Sequence, residues 1–242
     1  MRPVVAIRAL VEAEIPSAFA PCPRLEQEAI PTGIAPVDSV MGGVPLGGLT
    51  ELCGSNLASS GKSSVLTSLL AIASQKYFCA LIDAGDSFDA ASAEAAGVDL
   101  ARLLWVRCGK NQLGQQSNSK SKLRPLEQAF KAADMLLQSS GFGLVAVDVS
   151  SVAEKFVRNI PLTTWFRFSR IIEKQRTALV FVEQNPHATS CAALVMRLRT
   201  QSGSGPGKLF NQFSMQSEML RTRDKKPVQS APRHFTLAAE WA

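Results

Sequence analysis

GSNLASSGKSSVL, residues 54–66, ends like the phosphate-binding loop G-x-x-x-x-G-K-[S/T], with Gly61, Lys62 and Ser63 in its last three places. The pattern wants a glycine at position 56, where the chain has Asn56. The nearest earlier glycine, Gly54, lies two residues too far back. A lone Gly-Lys-Ser is common by chance, so its context decides. Residues 49–53, LTELC, read as a strand entering the loop, and Ser63 to Ser74 as a helix leaving it. Strand, loop and helix in that order are the setting this motif needs. Loop amides and the positive helix end then attract phosphate. Lys62 would reach the outer phosphates and the Ser63 hydroxyl would coordinate Mg²⁺. A plain surface lysine at a helix start is the competing reading, and the helix dipole disfavours it.

A second motif supports the first. GLVAVDV, residues 143–149, is an apolar strand that places Asp148 at its end, where a carboxylate holds magnesium through water. The bland alternative is an acid capping a nearby helix.

The rest of the chain alternates in the same way. FCALIDA (78–84), LLWVRC (103–108) and ALVFVEQ (178–184) are apolar runs of strand length. Continuous apolar runs mark strands buried on both faces of a parallel sheet. ASAEAAGVDLARL reads as a helix then a turn, and a helical stretch covers about 163–175. RPLEQAFKAADMLLQSS (124–140) sets Leu126, Phe130, Ala133 and Leu137 on one helical face. In LTTWFRFSRII, the side chains of Trp165, Phe166, Phe168 and Ile172 spread wider than one core stripe. That helix is either fully buried or shows a surface to a partner. Strands alternating with helices predict an α/β domain with a parallel sheet.

The ends differ from this centre. VAIRALVEAE (5–14) reads as a short helix, and Pro16, Pro21 and Pro23 break the next stretch into a lead, giving a 1–30 segment before a single 31–242 core. ALVMRLR (193–199) and HFTLAAEWA alternate apolar with polar residues, which predicts antiparallel strands added at the C-terminus. QSGSGPGK (201–208) reads as their connector, and the acid-free stretch 110–122 as a mobile loop whose lysines offer a DNA contact or simply a tether.

Composition bounds the function. The chain has 242 residues, a mean hydropathy of +0.07 and 46% hydrophobic residues, which suits one globular domain. No apolar run approaches a membrane span of roughly 20 residues, and Glu12 and Glu14 interrupt the N-terminal apolar patch before a signal sequence forms. Five scattered cysteines without a C-x-x-C pair predict a reducing, cytoplasmic setting, and two distant histidines make no metal or triad. Between Arg197 and Arg233 eight basic residues face only Glu218 and Asp224, and this window carries the chain's whole net charge of +6. It fits either a footprint for nucleic acid or an acidic partner, or a solvated strand edge.

Taken in order, the motifs resemble a family. PTGIAPVDSVMGGVPLGGLTELCG followed by ASSGKSS looks like the RecA-type recombinase core. CALIDAGDSFDAASAEAAGVDLARLLWVRC is similar to that family's next strand and helix, LVAVDVSSVA to its magnesium-holding strand, and LVFVEQN to the strand whose glutamine senses the terminal phosphate. The resemblance covers about 31–200 and implies a RecA-like P-loop fold, a mostly parallel twisted sheet flanked by helices, with ATP or ADP and Mg²⁺ at the strand ends. It implies nucleotide contacts at Gly54, Ser59, Ser60, Gly61, Lys62, Ser63 and Ser64, metal contacts at Ser63 and Asp148, and a sensor at Gln184. It also implies self-association through the segment ahead of the core.

Three departures stand out. The loop carries two extra residues between Gly54 and Gly61. Ile82-Asp83-Ala84-Gly85 has glycine where the recombinases carry the glutamate that activates water. Asp86 is the nearby candidate base, and Glu183 is an acid of unknown direction. NPHATSCAA is far shorter than the recombinases' DNA-holding loop, which argues against filament-type strand exchange. A short RecA core of this kind resembles the ImuA proteins of damage-inducible mutagenesis cassettes. That resemblance implies partnership with an ImuB-like member of a translesion polymerase complex, or with RecA, and DNA contact through the basic C-terminal segment. Two functions therefore stand at this point: an adaptor with weak or no hydrolysis, and a working DNA-dependent ATPase of recombinase or RadA/KaiC type.

Overall fold

The computed structural model describes residues 28–55, 60–108, 124–204, 212–222 and 233–238. The predicted helix at 5–14, the lead up to residue 27 and the 110–122 loop lie outside them. Strands β1 (Ala29–Ile30) and β2 (Val44–Pro45) pair antiparallel as a small separate sheet. Between them lies helix α1 (Ala35–Met41), which the sequence reading did not foresee. Asp38 in its first turn explains the PTGIAPVD motif: its carboxylate accepts from the Thr32 amide (2.7 Å), the Thr32 hydroxyl (2.8 Å) and the Gly33 amide (3.1 Å).

The main sheet is built from β3 (Leu49–Cys53), β4 (Cys79–Asp83), β5 (Leu103–Arg107), β6 (Leu144–Asp148), β7 (Ala178–Glu183), β8 (Leu194–Ser204), β9 (Gln212–Thr222) and β10 (Arg233–Ala238). Its order is β10-β9-β8-β3-β7-β6-β4-β5. Every pairing from β8 across to β5 is parallel, and β8–β9 and β9–β10 are antiparallel. All residues of β3, β4, β6 and β7 are buried, as continuous apolar runs demand. β5 is the edge strand and is only partly buried.

Helices cover both faces. On one, α1 and α2 (Lys62–Ser74) bring Val37, Val65 and Leu69 onto Leu52, Leu81 and Val180. On the other, α4 (Arg124–Ser139) and α6 (Leu162–Gln175) pack on Ala80, Val145 and Leu179. The remaining helices, α3 (Ala90–Ala95) and α5 (Glu154–Val157), are short. The α3 start is fixed by Asp89, which accepts from the Ala91 and Ser92 amides. Trp165, Phe168 and Ile172 are fully buried, while Phe166 and Leu162 face outward. The wide apolar spread of α6 thus resolves into one core stripe and two exposed side chains. Trp165 meets Phe181 edge to face at 4.7 Å between centroids, and Phe130 joins both.

The antiparallel strands expected at the C-terminus are present, with two additions. The strand at 193–199 pairs antiparallel with β9 from Leu194 onward, as expected, and over Leu194–Arg197 its other edge also pairs parallel with β3. It also continues through Ser204, into the expected connector. Strand β9 was missed because serines and methionines, rather than an apolar series, carry its alternation: Met215 and Ser217 are both buried.

Candidate nucleotide-binding site

Parallel strands deliver their last residues to one edge, the usual place for a ligand in an open α/β sheet. Here those residues are Cys53, Asp83, Asp148 and Glu183, with Cys53 in register with Glu183 and Asp83 with Asp148. Gly61 stands ahead of α2 in the left-handed region (φ 74°), which favours glycine, and a Cβ there would fall 2.0 Å from the flexible end of Met215 (Cε), which would have to move. At Gly54, a Cβ would fall 2.6 Å from Ser60. Lys62 is buried (5% exposed) and its ammonium donates to the carbonyls of Gly54 (2.6 Å) and Glu183 (3.2 Å). Burial pushes its pKa down, against the pull of Asp148, Cys53 and Glu183. Ser63 and Ser64 are placed on the first turn of α2, both exposed, and Ser59 lies outside the described residues.

Asp148 is buried at the end of β6 and its Oδ1 accepts from the Ser150 amide (2.9 Å); burial pushes its carboxyl up. Asp83 turns back on its own chain and accepts from the Gly85 (3.1 Å) and Phe88 (2.9 Å) amides. The space beside Gly85 is filled: a Cβ would fall 2.1 Å from Ser151 Oγ and 2.7 Å from Ser151 Cβ. Asp86 is held at φ 55° with its carboxylate in a two-pronged pair with Arg107, at 2.5 and 2.8 Å, and Arg107 also lies 4.8 Å over the Trp105 ring. Putting the recombinases' glutamate back is therefore expected to fail alone. Gly85→Glu should destabilise by about 1–3 kcal/mol through overpacking, measured by urea denaturation. Adding Ser151→Gly should recover most of that loss, and an additive pair of losses would contradict the clash.

Gln184 follows β7 and donates through Nε2 to the carbonyls of Ser150 and Val152, each at 3.1 Å. It ties the end of β7 to the turn after β6. Glu183 points the other way, into a buried group that the sequence reading missed. Glu51, in the middle of β3, is fully buried, and its Oε1 accepts from the amides of His187 and Ala188, both at 2.6 Å. Glu183 Oε2 lies 2.8 Å from His187 Nδ1. These contacts leave Glu51 Oε2 and Glu183 Oε1 buried without a hydrogen-bond partner among the described residues, in two side chains close enough for Glu183 to raise the hold of Glu51 on a proton. A proton shared between them would satisfy both. Burial, then the Glu183 contact, pushes Glu51 up to about 8, and burial pushes Glu183 up to about 7. The clue was available: Glu51 is the one charged residue in LTELC, a run otherwise suited to full burial.

A cavity of about 650 Å³ opens beside the loop, lined among others by Gly54, Ser60, Gln184 and two arginines of β8, Arg197 and Arg199. Among the described residues no group of three or more His, Cys, Asp or Glu is placed to hold a metal. Four cysteines, Cys53, Cys79, Cys108 and Cys191, are free and buried. No helix of the described residues is long and apolar enough to cross a membrane.

This sheet order, with its helical layers and antiparallel extension, defines a RecA-like α/β protein. The family model for the RecA N-terminal domain matches residues 22–159, more than half of the chain, and the chain belongs to that family. Protein RecA of Rickettsia africae (strain ESF-5) is 33% identical over 129 residues, covering 52% of this chain and 33% of the relative. Protein RecA of Chloroflexus aurantiacus (strain ATCC 29364 / DSM 637 / Y-400-fl) is 29% identical over 180 residues, covering 66% and 46%. Protein RecA of Bifidobacterium longum (strain NCC 2705) is 33% identical over 129 residues, covering 52% and 28%. The chain thus spans between about a quarter and a half of the length of these relatives.

Proposed function

We propose that the chain is a nucleotide-binding accessory protein of DNA repair that holds ATP or ADP with Mg²⁺ and hydrolyses ATP weakly or not at all. The observation that carries this reading is Gly85 with Ser151 packed against it, beside an Asp86 already paired with Arg107. At the place where the resemblance puts the water-activating glutamate there is neither a carboxylate nor room for one. Binding has separate support. Lys62 sits at a helix start behind a glycine held in the left-handed region, and the loop faces an open cavity.

Ser63 and Asp148 would hold Mg²⁺. A hydroxyl and a carboxylate suit a hard cation that draws its remaining ligands from water and phosphate. The metal would neutralise charge on the phosphates. The chain's own residues would bind and orient them, Lys62 by its ammonium and Gln184 by the strand end it anchors. Gly54, Ser59, Ser60, Gly61 and Ser64 complete the proposed contacts.

The finer reading places the chain among the ImuA proteins, with an ImuB-like translesion polymerase component or RecA as partner and the basic C-terminal segment as a DNA contact. Of that segment, Lys208, Arg223, Lys225 and Lys226 lie outside the described residues. Steady-state ATP hydrolysis with and without single-stranded DNA tests the proposal. Turnover is expected to stay far below the usual enzyme median of about 10 per second. DNA-stimulated turnover near that value would replace the adaptor with a working ATPase that uses Lys62, Ser63, Asp148 and Gln184, with Asp86 as base.

A further inference from the structure

Strand β8 outruns its neighbour. Its pairing with β3 ends at Cys53 opposite Arg197, and the chain continues past the phosphate-binding segment. There the Leu198 carbonyl lies 2.9 Å from where a Gly54 Cβ would be. Residues two apart on a strand share a face, so Arg197 and Arg199 project together, the first half-buried and the second exposed. Both line the cavity that Gly54, Ser60 and Gln184 also line. Glu154 lines it too, yet among the described residues it pairs with neither arginine. Neither guanidinium makes an ion pair or a hydrogen bond among the described residues.

A half-buried cation with no counter-ion is unfavourable until an anion arrives. The planar guanidinium fork also matches phosphate oxygens in pairs, which a lysine does not. Lys62 lies against Gly54 and Glu183, and the two arginines stand on β8, across β3 from the strand that Gln184 follows.

We infer that Arg197 and Arg199 are phosphate-binding residues supplied by the same chain, contacting the terminal phosphate of a nucleoside triphosphate and favouring it over the diphosphate. This rests on the nucleotide reading above. The test titrates fluorescent N-methylanthraniloyl ATP and ADP, each with Mg²⁺, into the full chain and its variants. Arg199→Ala is exposed and leaves the core alone. Arg197→Ala joins it in a double variant, and Arg197→Lys keeps the charge but not the fork. ATP affinity should fall about ten- to hundredfold in the double variant, as charge-assisted hydrogen bonds are lost, with a smaller fall in Arg199→Ala. ADP affinity should change less than about threefold, and Arg197→Lys should fall between wild type and Arg197→Ala. Wild type that binds both nucleotides, with Arg199→Ala and the double variant unchanged or losing ATP and ADP equally, overturns the arginine role and leaves nucleotide binding standing. Wild type that binds neither nucleotide overturns both. If the double variant does not melt cooperatively, Arg199→Ala alone decides.

Discussion

Raising the pH from 5 toward 9 is expected to weaken the folded protein by several kcal/mol, because Glu51 and Glu183 bind protons more tightly folded than unfolded. Their ordinary value is near 4.5, and in the fold they rise to about 8 and about 7. The stabilisation is complete below 4.5 and is lost as pH climbs through 7 and then 8. The slope is about 1.4 kcal/mol per pH unit for each raised group over that window. Above it, two like charges share a dry site. Lys62 and Arg197 are the cations near this site, and both lie near Cys53, which adjoins the pair. Glu51→Gln should flatten the slope, since its amide mimics the protonated acid, donating to Glu183 and accepting from the His187 and Ala188 amides. Glu51→Leu strands those two amides and should cost about 2–6 kcal/mol, at roughly 1–3 for each buried donor left unpaired. Urea midpoints across pH measure all three proteins. A flat wild-type profile, or Glu51→Gln as damaged as Glu51→Leu, would refute the shared proton.

Lys62→Ala carries the second large effect, on binding. The ammonium is buried and already aimed along the loop, so a bound triphosphate would meet it with little solvent between. Truncating one side of a buried charge pair costs about 2–5 kcal/mol, roughly thirty- to several-thousandfold in affinity. The fold should survive. The Glu183 carbonyl keeps the Gly54 amide as a donor (3.1 Å), so of these two carbonyls it is the Gly54 one that loses its partner. Calorimetric titration with Mg-ATP checks it, and a variant that binds as well as wild type would place the nucleotide elsewhere.

The parallel core was legible because its evidence is local. LVAVD and ALVFVE are too short and too uniformly apolar to be anything but covered strands, and Trp165, Phe168 and Ile172 repeat at helical spacing. What escaped depends on distant partners. Strand β9 is inward-facing only because β8 and β10 flank it, and β8 changes from parallel to antiparallel neighbours across its own width, which no periodicity records. Gly85 could be read as a missing side chain, but that Ser151 fills its place required the fold. Likewise Glu183 was visible beside Gln184, while its direction follows from the pleat. It shares a sheet face with Leu179 and Phe181 and so turns toward Glu51.

The most direct measurement is the state of the nucleotide that the protein retains. The chain is incubated with ATP and Mg²⁺ for many minutes, separated rapidly from free nucleotide, and its bound fraction resolved by ion-exchange chromatography. The expected result is about one nucleotide per protein, with phosphate released far more slowly than the usual enzyme median of about 10 per second. Protein that emerges without nucleotide, or that releases phosphate at a rate near the usual enzyme median of about 10 per second, would contradict a site that binds through Lys62 and lacks the group to activate water.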